Sequence, residues 1–165
     1  MVFDKPKAKK NPYAFRRDLP HLQREGKTYF ITFSTHQKWN LPESVRRIVL
    51  EHCLHDHGKK MILHAAMIMP DHVHMLLSPL SDGQGHPYSL SEILKGIKGA
   101  SAASVNKVLG RKGKVWQAES FDHILRNEES LRDKGEYLVN NPVRKGLTRW
   151  LDDYPWLWRE WVEGK

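Results

Sequence analysis

Residues 69–77 read MPDHVHMLL. Side chains alternate between the two faces of a β-strand, so as a strand this stretch sends His72, His74 and Leu76 one way. Val73, Met75 and Leu77 go the other. Two imidazoles one strand repeat apart can bind the same metal ion, although a bare His-x-His equally fits a strand with two partly exposed histidines. Immediately upstream, Lys60–Met69 (KMILHAAMIM) has the apolar, extended character of another strand. Only Pro70 and Asp71 separate the two, and so short a link implies an antiparallel hairpin.

Working outward on the N-terminal side, Thr28–Thr35 (TYFITFST) is aromatic and β-branched with apolar residues on both faces, as expected of a strand inside a sheet. Glu43–His57 changes to helical spacing, with Val45, Ile48, Val49 and His52 on one face. Pro42 stands near its start, and Gly58 is the expected C-terminal cap. This segment has its own His-x-His, at His55 and His57. Two residues along a helix are about 200° of rotation, so those rings diverge and cannot share an ion.

On the C-terminal side, Ser78–Ser89 is a Gly-, Pro- and Ser-rich exposed loop. Leu90–Leu109 is the longest predicted helix, with Lys95, Lys98 and Lys107 mostly off its apolar face. A basic turn follows, with Arg111, Lys112 and Lys114 in GRKGK, then a short fourth strand around Phe121–Leu125 that contains His123. Asn127 is a good cap for a further helix. Pro142 disfavours helical geometry at Asn141, so this helix is expected to end there. Tyr137 and Asn141, four residues apart, share one of its faces. The resulting order β, α, β, β, α, β, α defines an α+β chain. Its first six elements match a ferredoxin-like or RNA-recognition-like four-stranded antiparallel sheet with helices packed on it.

The chain has 165 residues, 39% of them hydrophobic and 28% charged, which suits one globular domain. No apolar run approaches the roughly 20 residues of a membrane span, and the lysine-rich start lacks a signal-peptide core, so no membrane partner and a cytoplasmic location are expected. A single cysteine, Cys53, excludes an internal disulfide framework. Lys and Arg exceed Asp and Glu by 27 − 19 = 8, an excess that suits a polyanionic partner. Three segments follow: a basic arm over residues 1–26 that includes Arg16 and Arg17, a domain over 27–148, and a Trp-rich tail over 149–165 expected to pack back on the domain.

Several motifs now coincide. MPDHVHMLL resembles the histidine–hydrophobic–histidine (HUH) motif of single-tyrosine transposases. EYLVNNPVRKGL (136–147) resembles the catalytic-tyrosine segment of the REP-associated tyrosine transposases, relatives of insertion-sequence transposases. RRDLPHLQREGKTYFITFST (16–35) and VWQAESFDHILRNEESLR (115–132) also fit, so the resemblance covers roughly residues 16 to 148 in the family's order and spacing. Relatives often carry a second aromatic shortly after the tyrosine, where this chain has Val139.

The resemblance implies a metal-dependent single-stranded DNA endonuclease and strand transferase acting at REP-type hairpins. Its catalytic tyrosine would be Tyr137, on the C-terminal helix, and its intermediate a 5′-phosphotyrosine. His72, His74 and Asn141 would hold Mg²⁺ or Mn²⁺. A phenol is a poor nucleophile at neutral pH, and the activating group stays open among a metal-bound water, the auxiliary His123 and cations such as Lys145. Phosphate contacts are expected from Arg16, Arg17, Lys95, Lys98, Arg111, Lys112, Lys114, Arg144 and Lys145. The location would be nucleoid-associated, and the assembly a monomer or a homodimer with exchanged tyrosine helices. Two competing readings use the same residues: a hairpin DNA or RNA-binding module that does not cut, and a metal-dependent hydrolase that uses water.

Overall fold

The computed structural model describes residues 27–160. The basic arm, with Arg16 and Arg17, and Trp161 of the tail lie outside the described residues. Five strands, β1 (Thr28–Thr35), β2 (Met61–Ile68), β3 (His72–Pro79), β4 (Trp116–Leu125) and β5 (Leu157–Arg159), form one antiparallel sheet in the order β4-β1-β3-β2-β5. Three helices accompany it: α1 (Glu43–His55), α2 (Leu90–Leu109) and α3 (Glu128–Arg144). The first four strands have the ferredoxin-like order expected.

The β2–β3 hairpin sets the centre of the sheet. Met69 N–H donates to the His72 carbonyl at 2.8 Å across the Pro70–Asp71 link. On the other side of β3, Thr32 pairs with His74 and Ser34 with His72. One sheet face carries Ile31, Phe33, Val73, Met75 and Leu77, buried beneath α1 and α2 with Val45, Val49, Ile93 and Ile97. The other carries Phe30, Met67 and Leu76, buried beneath α3 with Leu131, Leu138 and Val139. The histidine face of β3 is therefore the face that α3 covers.

Helix α2 has its sequence-predicted ends because both caps are local: the Ser89 side chain accepts from Glu92 N–H, and Gly110 takes the left-handed conformation at φ +62°. Four other expectations are corrected. The sheet has five strands, since Leu157–Arg159 of the Trp-rich tail pairs with β2 opposite Ala65–Met67. Helix α1 is capped by Asp56, and Gly58, at φ +79°, serves the turn into β2, where its N–H donates to the Met61 carbonyl at 2.7 Å. Helix α3 runs through Pro142 to Arg144. Pro142 lacks an N–H, but hydrogen bonding resumes beyond it, with Lys145 N–H donating to the Asn141 carbonyl at 3.0 Å and Leu147 N–H to that of Pro142 at 2.9 Å. Strand β4 is also longer than expected, starting at Trp116, whose indole N–H reaches Ser101 Oγ on α2 at 3.0 Å.

Candidate active site

His72 and His74 point their Nε2 atoms at each other, 3.1 Å apart. Each ring is fixed from behind. His72 Nδ1 meets Asp71 Oδ1 at 2.7 Å, and His74 Nδ1 meets Thr32 Oγ1 at 2.8 Å on the neighbouring strand. Back-side partners of this kind fix the tautomer and orientation of metal-binding imidazoles. Two nitrogens held about 2.1–2.2 Å from one ion at a right angle stand about 3.0–3.1 Å apart. The observed separation matches that spacing. His74 is 8% exposed, and its pKa is pushed down to about 3, chiefly by burial and then by the charges of His72, Arg144 and Lys134. The neutral imidazole, the form that binds a cation, is thus the stable one.

Helix α3 brings Tyr137 to the same face. Phe30 stands between: its ring stacks on His74 at 5.3 Å and meets Tyr137 edge-on at 6.3 Å. Tyr137 is 49% exposed. The Arg144 guanidinium lies 4.1 Å from the centre of the Tyr137 ring, and Lys134 Nζ lies 5.5 Å from the same ring and 5.3 Å from that of Phe30. Asn141 is buried on the sheet-facing side of α3, and its Oδ1 accepts from Arg144 Nη2 at 3.3 Å. The same Nη2 donates to the Tyr137 carbonyl at 2.7 Å, so one guanidinium links the tyrosine and the asparagine. Among the described residues no group of three His, Cys, Asp or Glu side chains could hold a metal. A third protein ligand among the described residues, beside the two histidines, would then be of another type, such as the Asn141 amide.

The remaining predicted site residues divide by face. His123 sits on β4 opposite Phe30, on the site side and exposed. Lys145 lies beside His72 in a cleft that also includes Lys38 and Asn40. Lys95, Lys98 and Lys114 instead line a groove of about 680 Å³ between α2 and β4, on the face opposite the histidines. Lys98 is engaged there, donating to the Gln117 and Ala118 carbonyls at 2.7 and 3.2 Å and to Ser120 Oγ at 3.1 Å. Partial burial lowers its pKa. Arg111 closes the turn after α2, donating to Asn106 Oδ1 at 2.9 Å and stacking 4.1 Å over Trp39; Lys112 is exposed. Sequence reasoning passed over Thr32, Lys134 and Lys38. The strand alternation that puts Thr32 on the Phe30 face, and the i, i+3 spacing of Lys134 and Tyr137, were available signals for the first two.

A four-stranded ferredoxin-like core with a His-x-His pair on one face and a tyrosine helix laid over that face is the architecture of the HUH single-tyrosine transposases. Residues 30–141 match the family described as Transposase IS200 like, and the chain belongs to that family. It is 24% identical over 97 residues to a REP-associated tyrosine transposase of Haemophilus influenzae, covering 56% of this chain and 55% of the relative. A REP-associated tyrosine transposase of Escherichia coli is 20% identical over 133 residues, covering 79% and 75% of the two chains. The chain thus spans about half the length of the Haemophilus relative. The solved structure of a REP-associated tyrosine transposase bound to a REP hairpin has a similar fold, with a TM-score of 0.60 and 23% identity over 80% of this chain and 76% of that one. Among the described residues no helix is long and apolar enough to cross a membrane.

Proposed function

We propose that the chain cuts and rejoins single-stranded DNA next to REP-type hairpins, through a covalent 5′-phosphotyrosine formed by Tyr137. The observation that carries this reading is the placement of Tyr137 and the convergent His72–His74 pair on one sheet face, joined through Phe30. The Tyr137 phenol oxygen attacks a backbone phosphorus. The O–P bond forms as the bond to the 3′ oxygen breaks; the phenol gives up its proton and the departing 3′ oxygen takes one up, leaving a 3′-OH. Because the phosphate ester is conserved in the covalent link, a 3′-OH can later attack it and restore a continuous strand.

His72, His74 and, through its amide oxygen, Asn141 are the residues that would hold Mg²⁺ or Mn²⁺. When bound, such an ion polarises the non-bridging phosphate oxygens. The Asn141 amide oxygen has two acceptor lone pairs, so it can keep its contact with Arg144 and still offer one to an ion. Lys134 and Arg144, both against the Tyr137 ring, set two cations beside the phenol where an attacked phosphate would lie. They are better placed for this than Lys145, which lies in the cleft beside His72. The hairpin partner is supported by the likeness to the relatives and by the basic excess of the sequence.

The test is incubation of a labelled REP-type hairpin oligonucleotide with the protein and Mn²⁺. A covalent protein–DNA adduct that disappears in Tyr137→Phe, a loss of at least about 10³-fold in cleavage, is the expected result. Cleavage without an adduct, unchanged by that substitution, would replace the reading with water-driven hydrolysis. Tight binding with no cleavage under any divalent metal would leave a binding module.

A further inference from the structure

Beside His72 lies a cleft of about 400 Å³ that the chemistry above does not use. Three separate segments build it. The turn after β1 supplies Lys38 and Asn40, the β2–β3 link supplies Pro70 and Asp71, and the chain beyond α3 supplies Lys145 and Leu147. Backbone hydrogen bonds lock the first two together, with Thr35 N–H donating to the Asp71 carbonyl at 2.9 Å and Leu41 N–H to that of Pro70 at 2.7 Å.

The turn is bent in a costly way. Gln37 and Lys38 are consecutive non-glycine residues in the left-handed region, at φ +55° and +56°. Each such residue costs about 1–2 kcal/mol. The bend brings Lys38 Nζ back to 3.3 Å from Ser34 Oγ, and Ser34 is the β1 partner of His72. The ammonium is thereby set on the site face, next to the metal-binding pair. Backbone strain is commonly kept where a side chain has to be aimed.

The lining has the mixed chemistry of a nucleotide. Lys38 and Lys145 offer two cations for a phosphate, Pro70 and Leu147 offer apolar surface for a base face, and Asn40 offers an amide with both donor and acceptor for a base edge. Its volume lies near the lower end, about 300 Å³, of the range for small-ligand sites. We propose that this cleft seats one unpaired nucleotide of the DNA strand flanking the phosphate that Tyr137 attacks, and that Asn40 reads its base. The inference rests on the DNA-cutting reading above and adds the position at which protein, rather than hairpin geometry, selects sequence.

The test uses the full chain carrying Tyr137→Phe, so that the DNA stays uncut, and fluorescence anisotropy. One probe is a REP-type stem–loop with a single-stranded flank. In a series of others, each flank nucleotide in turn is replaced by an abasic spacer. A bare stem–loop is the reference. The expected result is a single position at which the abasic spacer weakens binding by about tenfold, as for one lost base contact, with that penalty abolished by Asn40→Ala. Lys38→Ala together with Lys145→Ala weakens the flanked probe but not the bare stem–loop. Equal penalties at every position, or a penalty that survives Asn40→Ala, overturns the cleft and leaves hairpin binding standing. Failure to bind even the bare stem–loop overturns the DNA reading as well.

Discussion

The chain spells His-x-His twice, and the two copies do different things. His72 and His74 lie on a strand, where a two-residue step returns to the same face, and their Nε2 atoms meet at 3.1 Å. His55 is the last residue of α1 and His57 lies two residues on, beyond the Asp56 cap in the turn towards β2, where the two side chains part. His55 is exposed and touches Asp56 at 3.2 Å. His57 turns inward, accepts the Leu63 N–H at 2.8 Å through Nδ1, and packs edge-on against Trp158 at 5.4 Å. Both copies even have a neighbouring aspartate. Asp71 fixes a ring whose other nitrogen faces its partner, whereas Asp56 pairs with an exposed one. A two-histidine motif therefore carries chemistry only through the geometry beneath it.

The largest test of that contrast is metal affinity. His74→Ala should reduce Mn²⁺ binding, followed by isothermal titration calorimetry, by at least about 100-fold, since losing even a partner that holds a ligating ring from behind costs about 10–100-fold. His57→Ala should leave it unchanged. Equal losses in both variants would place the metal elsewhere and dissolve the distinction.

The strand geometry behind this contrast was legible because its signals are local. The alternation in HVHMLL, the two-residue link at Pro70–Asp71 and the caps of α2 at Ser89 and Gly110 each act within a few residues. What escaped depends on distant partners. β5 is three residues long amid prolines and tryptophans, and it exists because β2 offers an open edge at Ala65–Met67. Lys98 looks like a solvated phosphate ligand on a helical wheel, yet β4 carbonyls draw its ammonium inward. Pro142 carries a local signal to stop that packing overrides, because Pro142 and Asn141 are both buried. In the site, spacing put Tyr137 and Asn141 on one helix face and the family resemblance singled them out, whereas the link through Arg144 needed the third dimension.

A second test uses acid. The folded-state pKa of His74 is lowered from 6.5 to about 3, chiefly by burial and next by the His72 charge. Protons then favour the unfolded chain, so the stabilisation is fully present above pH 6.5 and is lost as pH falls from there towards 3. Within this window the slope is about 1.4 kcal/mol per pH unit, or about 2 kcal/mol by pH 5. Urea denaturation of chelator-treated protein should show that slope, and His74→Gln should remove it. An unchanged slope in the variant would mean that the acid sensitivity arises elsewhere and that His74 is not held neutral by its setting.

The smallest effect concerns the helix-end copy. If His57 is an architectural residue, its substitution has a cost in stability and none in metal binding. His57→Ala leaves the backbone N–H of Leu63, a fully buried residue, without its side-chain acceptor. It also removes the ring that rests on Trp158 of the tail. An unsatisfied buried N–H costs about 1–3 kcal/mol, and the lower figure applies here because His57 is only half-buried and water can replace part of the contact. A loss of about 1 kcal/mol in urea denaturation is therefore expected. His55→Ala, which removes only an exposed contact at 3.2 Å, should be nearly neutral. Were His55→Ala the costlier of the two, the inward turn of His57 would not be what joins α1 to the β2 edge and the tail strand beside it.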